Sequence, residues 1–265
     1  MSLITSTRTD ISTQPPFFGP DRIYRPPVEE GVEIPAQLPS HMELPEENGE
    51  IVENFREQPQ GYLLDQGIWP MLERIHPDRH FAVGHDCGIY WLLANPPERG
   101  AICPDWFYVA GVPPDLNGHY RRSYVLWKEH VAPSILIEFS SDDGSKERDQ
   151  TPREGKYWIY ENAVQGRFYA IFVVETGELE VYQLENSKYQ RLQPDQRGHY
   201  LIDPLGVKLG VWQGFYFNET APWLRWYDTE GQLLPIAEER AEGERRRAER
   251  LADKLRELGI DPNTL

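Results

Sequence analysis

Residues 134–145, SILIEFSSDDGS, are the stretch of sequence that decides the fold. A short apolar run, Ile135 to Ile137, is followed by Glu138 and Phe139. Such a run is typical of a strand buried at the centre of a sheet. The serines, aspartates and glycine after it favour a turn. A carboxylate at the end of a buried strand is costly unless it is paired or binds a metal ion. Glu138 is therefore the first candidate functional residue.

Short apolar runs on both sides of this stretch predict further strands. They are residues 80–83 and 88–93, interpreted as a hairpin, then 106–110, 168–174, 179–183, 189–192 and 207–212. A helix is predicted over residues 151–161, with Pro152 in its first turn, and another from near Pro45 in the acidic segment 41–60. Residues 62–75 continue as helix or loop. This order of elements predicts a mixed α/β fold.

Three charged residues stand where a shared site can form. Asp105 precedes the strand predicted over residues 106–110, Glu138 ends the central strand, and Lys156 lies on the helix that follows. Two carboxylates at neighbouring strand ends can share one Mg²⁺ ion, which prefers oxygen ligands and keeps several waters. A bound cation lowers the pKa of water and offsets charge on a phosphate, and a nearby lysine can orient that water. The pattern indicates metal-dependent phosphoester hydrolysis.

The residues around these positions match a known pattern. The matching residues are Pro104-Asp105 before a short strand, Glu138-Phe139-Ser140-Ser141 at the end of an apolar strand, and Asp149, Lys156 and Tyr160 toward the helix. They resemble the PD-(D/E)XK nuclease superfamily, and more closely a bacterial family of restriction-endonuclease-like proteins abundant in cyanobacteria. The resemblance covers about residues 38–215, and the sequence RELGIDP, residues 256–262, is also similar to the ending of many members.

This resemblance implies a restriction-endonuclease-like core, in which a central mixed β-sheet is flanked by helices. It implies that Asp105 and Glu138 bind Mg²⁺ or Mn²⁺, with the backbone carbonyl of Phe139 as a third ligand. In the wider superfamily the lysine often lies two residues after the glutamate, where this sequence has Ser140, so Lys156 takes that role from the helix. The accessory candidates are Ser140, Asp149 and Tyr160, together with one acidic residue of the first helix, for which Glu46, Glu47, Glu50 and Glu53 are equivalent choices.

The resemblance also implies DNA as the substrate, and a homodimer is expected because cutting a duplex requires two sites. Three features depart from the family pattern. Asp149 stands seven residues before the lysine, Trp158 lies on the helix rather than in the strand after it, and residues 113–130 form a longer insertion. The last two concern the shape of the substrate cleft more than its chemistry.

The formal net charge of −16 argues against a general DNA-coating function, because non-specific affinity depends on phosphate neutralisation by Lys and Arg. A nuclease is still allowed, since a cleft that gathers carboxylates for a cation is itself acidic. In the run HYRRSYVLWKEH, residues 119–130, candidate nucleic-acid contacts are Arg121, Arg122 and Lys128, with Tyr120, Tyr124 and Trp127 for base stacking. A surface hairpin is the alternative, and the sequence favours it.

The chain divides into three predicted regions. Residues 1–40 are a proline-rich arm, residues 41–235 an endonuclease-like domain, and residues 236–265 a charged helical tail. In the tail, residues at helical spacing predict either a short coiled coil or a solvated helix; they are Ala241, Ala248, Leu251, Leu255 and Leu258. Only two cysteines and no apolar stretch approaching roughly 18 residues favour a cytoplasmic location and no membrane association.

Two other functions remain open from the sequence. One is a catalytically inactive endonuclease-like fold that serves as a binding or assembly module, which the acidic body and the displaced lysine allow. The other is a metal-dependent hydrolase of a small phosphoester, which a cleft without a basic rim would favour. A zinc site at His76, His80 and His85 is disfavoured, because Pro77 and Gly84 interrupt any single helical face.

Overall fold

The structure is a computed structural model, and it describes residues 23–44, 55–116, 118–258 and 261–262. The helix start predicted near Pro45 lies outside the described residues, and so do its four acidic candidates, Glu46, Glu47, Glu50 and Glu53. Residues 1–22 of the predicted arm also lie outside. In the described part of that arm, Val28 pairs with Leu93 in an isolated bridge.

The described elements follow one another in the mixed order that the sequence predicts. The helices are α1 (Glu57–Ile75), α2 (Leu126–Glu129), α3 (Lys156–Ile159), which continues into a π-helical turn (Tyr160–Val164), and α4 (Ala237–Glu257). The strands are β1 (Phe81–Gly84), β2 (Ile89–Tyr90), β3 (Ala101–Ile102), β4 (Trp106–Ala110), β5 (Tyr124–Val125), β6 (Ile135–Ser140), β7 (Phe168–Val173), β8 (Glu178–Glu185), β9 (Lys188–Arg191), β10 (Tyr200–Ile202), β11 (Val207–Tyr216) and β12 (Glu219–Tyr227).

Six strands form a central mixed sheet in the order β1-β4-β6-β7-β8-β9. Strand β6 lies inside the sheet and is buried along its whole length, as the apolar run predicts. It pairs antiparallel with β4 and parallel with β7. The pairing with β4 ends at Trp106 opposite Ile137, whereas the pairing with β7 continues to Ser140. Residues 138–140 therefore extend past the end of β4, which leaves a step in the sheet.

Helices cover both faces of this sheet. On one face, Leu64, Ile68 and Leu72 of α1 recur every four residues and pack in a cluster with Trp106 and Ile137. On the other face, α3 and its π-helical continuation contribute a cluster with the sheet residues; its members include Tyr157, Tyr160, Val164, Leu136 and Tyr169. Because side chains alternate along a strand, Leu136 and Glu138 both point toward α3.

Two smaller sheets complete the described fold. Strands β10, β11 and β12 form an antiparallel sheet that holds α1 in place. The buried amide of Gln60 donates from Nε2 to the Leu224 carbonyl at 2.9 Å and accepts from the Leu224 N–H at 2.8 Å. A second sheet has the order β3-β2-β5. Within the described ranges, no helix combines the length and the apolar character that a membrane span requires.

Two local predictions are wrong. Residues 80–83 and 88–93 do not form a hairpin, because β1 pairs with β4 in the central sheet while β2 pairs with β3 and β5. The helix predicted from residue 151 begins only at Lys156. Asp149 accepts hydrogen bonds from the backbone N–H and the hydroxyl of Thr151, and these bonds stabilise a turn instead of a first helical turn at Pro152.

The charged C-terminal helix is confirmed as α4, and none of its residues is buried. It is attached to the body through Arg225, a fully buried side chain of β12 whose guanidinium donates to both carboxylate oxygens of Glu239. Further along, Leu251 and Leu258 are exposed. A coiled coil through this helix stays a prediction.

Candidate active site

Asp105 stands directly before β4, at the step where β6 extends past its neighbour. Its Oδ2 accepts a hydrogen bond from the backbone N–H of Phe139. In an antiparallel ladder the N–H and C=O of one residue point to the same edge of its strand. The carbonyl of Phe139 therefore faces the same edge as Asp105. At this end of β6 the Asp105 side chain accepts the hydrogen bond that the backbone of a neighbouring strand would otherwise accept.

Glu138 precedes Phe139 on β6 and is only 1% exposed. Each of its carboxylate oxygens has its own donor. The ammonium of Lys156 donates to Oε2 at 2.9 Å, and the hydroxyl of Tyr160 donates to Oε1 at 2.5 Å. Residues four apart in a helix lie on one side, so both donors lie on the side of α3 and its π-helical continuation that is turned toward the sheet. The sequence-predicted Asp105, Glu138 and Lys156 thus meet at one place.

Both carboxyl groups have raised pKa values. Burial raises the pKa of Asp105 well above its usual range, and the carboxylate of Glu138 raises it further, against the opposing effects of the Phe139 N–H and the Lys156 ammonium. Burial also raises the pKa of Glu138, while Lys156 and Tyr160 act in the opposite direction. Two buried carboxyls that disfavour each other's charge are both stabilised in the ionised form by a nearby cation.

Glu57, the first residue of α1, is a third carboxylate in this region and was missed by the sequence analysis. It is 5% exposed, and its charge contributes to the raised pKa of Asp105. The four candidates placed earlier in this segment lie outside the described residues. The available signal was the spacing of Glu57, Gly61 and Asp65, which marks a row of polar and small residues along one side of α1.

Glu147, in the loop between β6 and α3, is a further buried carboxylate that the sequence analysis did not single out. Its charge contributes to the raised pKa of Glu138. Among the described residues, no hydrogen-bond donor contacts its Oε2. Its backbone carbonyl accepts a hydrogen bond from the Tyr169 hydroxyl at 2.8 Å, which fixes the loop against the sheet. Nothing in the surrounding sequence, SKERD, distinguishes this glutamate from a solvated loop residue.

The donor set at the step suits a hard divalent cation. Asp105 and Glu138 supply carboxylate oxygens, the Phe139 carbonyl faces the same edge, and Mg²⁺ in proteins takes one or two carboxylates together with waters. The raised pKa values of both carboxyls also fit a group whose charge is completed by a cation. Within the described ranges, no three His, Cys, Asp or Glu side chains come close enough together to form a metal site by themselves.

The remaining accessory candidates have local structural contacts. Tyr160 is fully buried and holds Glu138, as described above. Ser140 is the last residue of β6, and its carbonyl accepts from the Val174 N–H at 3.0 Å. Asp149 shapes the turn before α3 through its bonds to Thr151. Their functional roles stay predictions.

The basic segment of residues 119–130 is largely engaged within the protein. Arg121 donates to both carboxylate oxygens of Glu129, at 2.8 and 3.0 Å, and Arg122 donates to the Met42 carbonyl at 3.3 Å. Lys128 is exposed. Tyr124 and Trp127, the candidates for base stacking, are both buried in the core. The surface hairpin that the sequence favours is wrong as well, because this part of the segment forms the buried strand β5 and the helix α2. DNA contact through Arg121, Arg122 and Lys128 stays a prediction.

The three histidines with cluster-like spacing each have a different partner. His76 Nε2 lies 2.5 Å from the Tyr108 hydroxyl, and His80 Nδ1 lies 3.1 Å from Asp78. His85 Nε2 lies 2.9 Å from Asp65, whose other oxygen accepts from the indole of Trp106 at 2.8 Å. These contacts fix the segment between α1 and β2 on the body.

A mixed sheet covered by helices, with paired carboxylates at the end of its buried strand, defines a restriction-endonuclease-like protein. The chain belongs to the Uma2 family, whose model, described as "Putative restriction endonuclease", matches residues 29–218. This confirms the resemblance drawn from the sequence, and it indicates a nuclease-like function. Restriction-endonuclease-like proteins generally use divalent metals. A comparison with curated proteins found no match.

Proposed function

We propose that this protein is a metal-dependent endonuclease that hydrolyses phosphodiester bonds in DNA, with Mg²⁺ or Mn²⁺ as its cofactor. The observation that carries the proposal is the meeting of Lys156 with Glu138 beside Asp105 at one step of the sheet. Membership of a family described by endonuclease activity supports the same reaction and DNA as its substrate.

In this proposal Asp105, Glu138 and the carbonyl of Phe139 hold the metal, and Glu57 is the accessory carboxylate. When bound, the cation lowers the pKa of water and offsets charge on the scissile phosphate. Asp105 is oriented by the Phe139 N–H, and Glu138 by Lys156 and Tyr160. These contacts fix the orientation of both carboxylates in the folded protein.

Lys156 contributes positive charge beside the reacting phosphate. Its side chain is about one quarter exposed, so the ammonium lies at the boundary between the buried carboxylate and the open end of the step. From there it stabilises negative charge that develops during hydrolysis, or orients the attacking water. Tyr160 is a positioning residue in this proposal, because its hydroxyl contacts Glu138.

The test compares the wild type with Asp105→Asn and Glu138→Gln. Mg²⁺ and Mn²⁺ binding is measured by calorimetry, and cleavage of supercoiled plasmid is followed in the presence of each metal. Glu180→Gln is the matched control. Glu180 is also a buried strand glutamate of the central sheet, and it is held by Arg148, Arg191 and the Tyr182 hydroxyl.

We expect the wild type and the Glu180→Gln variant to bind metal and cleave DNA, and the two site variants to lose both properties. If the wild type binds no metal, or if all variants bind it equally, the nuclease proposal is wrong, and the alternative of an inactive fold that serves in binding or assembly takes its place. If metal binds but only small phosphoesters are cleaved, DNA is the wrong substrate.

A homodimer through α4 is the second part of the proposal. Leu251 of α4 and Leu258, which directly follows the last residue of α4, are both exposed and lie seven residues apart, the spacing of one side of a helix. Two catalytic sites brought together in this way would allow both strands of a duplex to be cut. Predicted contacts of Lys128 with the phosphate backbone belong to the same proposal.

A further inference from the structure

A small pocket lies on the opposite side of α3 from Glu138. It is an open pocket of about 200 Å³ between the segment before Val28, the residue after β2, the loop before α3, and α3 with its π-helical continuation. Lys156 and Tyr160 point to Glu138, whereas Trp158 and Asn162 line the pocket. Since each helical residue turns by about 100°, a shift of two residues places a side chain on the other side of the helix. The pocket is therefore separate from the candidate metal site.

Two arginines give this pocket a positive charge. Arg25 and Arg153 both line it and both are exposed. Within the described part of the chain, neither guanidinium forms a hydrogen bond or an ion pair. In a chain with a net charge of −16, two arginines without a described carboxylate partner at one pocket point to an anionic ligand.

Two tryptophans form the aromatic part of the pocket. Trp91 and Trp158 meet edge to face, with ring centroids 6.4 Å apart. Trp158 is half-buried, so part of its ring is available to a ligand. Trp91 is 2% exposed, and its indole N–H has no hydrogen-bond acceptor among the described residues.

We propose that this pocket binds a nucleotide, with the base against Trp158 and the phosphate on Arg25 and Arg153. Flat rings suit aromatic stacking, and guanidinium groups suit phosphate oxygens. The pocket is smaller than the roughly 300–1,000 Å³ of sites for drug-sized ligands, so it accepts one base rather than a stacked pair. The ligand is either a free nucleotide or one nucleotide of a DNA strand. The inference goes beyond the proposed function, because it requires neither metal nor catalysis.

The experiment uses the full chain without metal, in EDTA, so that binding at the carboxylates is suppressed. Calorimetry measures the affinity for thymidine, for thymidine 5′-monophosphate and for a single-stranded thymidine hexanucleotide. The variants are Arg25→Gln with Arg153→Gln, Trp158→Leu, and Glu138→Gln. Arg79→Gln is the matched control, because Arg79 is also exposed and, like Arg153, has a positive φ, 59° against 67°.

We expect the monophosphate to bind about tenfold or more tightly than thymidine, since the charged contacts are made by its phosphate. The double arginine variant and Trp158→Leu lose this affinity by about tenfold or more, whereas Arg79→Gln and Glu138→Gln keep it. Tighter binding of the hexanucleotide than of the monophosphate identifies a DNA strand as the source, and equal binding identifies a free nucleotide.

The inference is overturned if neither phosphate-containing probe binds, or if the double arginine variant binds as well as Arg79→Gln. Loss of binding in Glu138→Gln also overturns it, because that result assigns the nucleotide to the carboxylate site. Failure of the nuclease proposal leaves the inference untouched. Melting temperatures of the double variant and of Arg79→Gln are compared first, so that loss of folding is not mistaken for loss of a contact.

Discussion

Lys156 Nζ lies 2.9 Å from Glu138 Oε2, although 18 residues separate the two in sequence. The lysine reaches the carboxylate because α3 begins at Lys156 and packs over the face of β6 on which Glu138 lies. Ser140, two residues after the glutamate, is buried in the strand that pairs with β7. The helix therefore supplies the positive charge at this site from outside the strand.

Replacing Lys156 with Gln removes this charge without removing a carboxylate. We expect the rate of DNA cleavage to fall by roughly a hundredfold or more, the usual effect of losing one charge-stabilising group. Metal affinity is expected to stay the same or to increase, since the metal ion no longer competes with the Lys156 ammonium for the carboxylate of Glu138. Lys188→Gln is the control, because Lys188 also donates to a buried glutamate, Glu161, at 2.6 Å. Equal cleavage by the two variants would contradict a catalytic role for Lys156.

Asp105→Asn is expected to stabilise the metal-free protein at neutral and alkaline pH. The pKa of Asp105 is raised in the folded state, so its contribution to stability is complete below the ordinary aspartate pKa of about 3.9 and is lost as pH rises through the raised value. Asparagine cannot ionise, so the variant avoids this loss. The gain in melting temperature should be absent at acid pH and should grow as pH increases. Each kcal/mol of added stability corresponds to about 2–4 °C.

The opposite sign is expected for Asp195→Asn. The hydrogen bonds from Lys208 and from the backbone N–H groups of His199 and Arg197 lower the pKa of Asp195. Its contribution to stability is therefore present above the ordinary pKa and is lost as the solution becomes acidic. Melting curves of both variants from acid to alkaline pH give the comparison. Parallel curves for the two variants would refute the assignment of Asp105 as a carboxyl that resists ionisation.

Tyr160→Phe tests whether the hydroxyl positions Glu138. Loss of the hydroxyl removes a hydrogen bond to the ionised carboxylate, so the pKa of Glu138 should rise further. Metal affinity should fall about fivefold, which corresponds to the loss of a hydrogen bond that contributes about 1 kcal/mol. The acid limb of the pH profile of cleavage should then move to higher pH. Tyr157→Phe is the control, because no described residue hydrogen-bonds to that hydroxyl although the ring is also buried. A drop in melting temperature with an unmoved pH profile would leave Tyr160 a purely structural role.

Leu251→Glu combined with Leu258→Glu tests dimerisation through α4. Light scattering after gel filtration should show a dimer for the wild type and a monomer for the variant. The melting temperature of the body should hardly change, because no residue of α4 is buried. Leu201→Glu is the control, since it changes an exposed leucine on β10. A monomeric wild type, or a dimeric variant, would exclude this helix as the interface.

The candidate site was predictable from the sequence where local chemistry was unusual. Glu138 interrupts an apolar run, and Asp105 stands at the start of another, so both were identified from the chain alone. Glu57 and Glu147 were not, because a glutamate at a helix start or in a polar loop looks the same whether it is buried or solvated. Burial depends on what packs over the residue, and neighbours distant in sequence decide that.

The sequence by itself determined the central strand β6, the paired carboxylates, the charged helix α4 and the family. The strand and the helix depend on local patterns, an apolar run and helical spacing, whereas the family was identified by the resemblance of the motifs around Asp105, Glu138 and Lys156. Only the tertiary structure decided that β1 pairs with β4 and not with β2, that Tyr124 and Trp127 are buried, and that a pocket forms beside Trp158. Strand partners and buried faces are chosen by the free energy of packing the whole chain, which local spacing does not record.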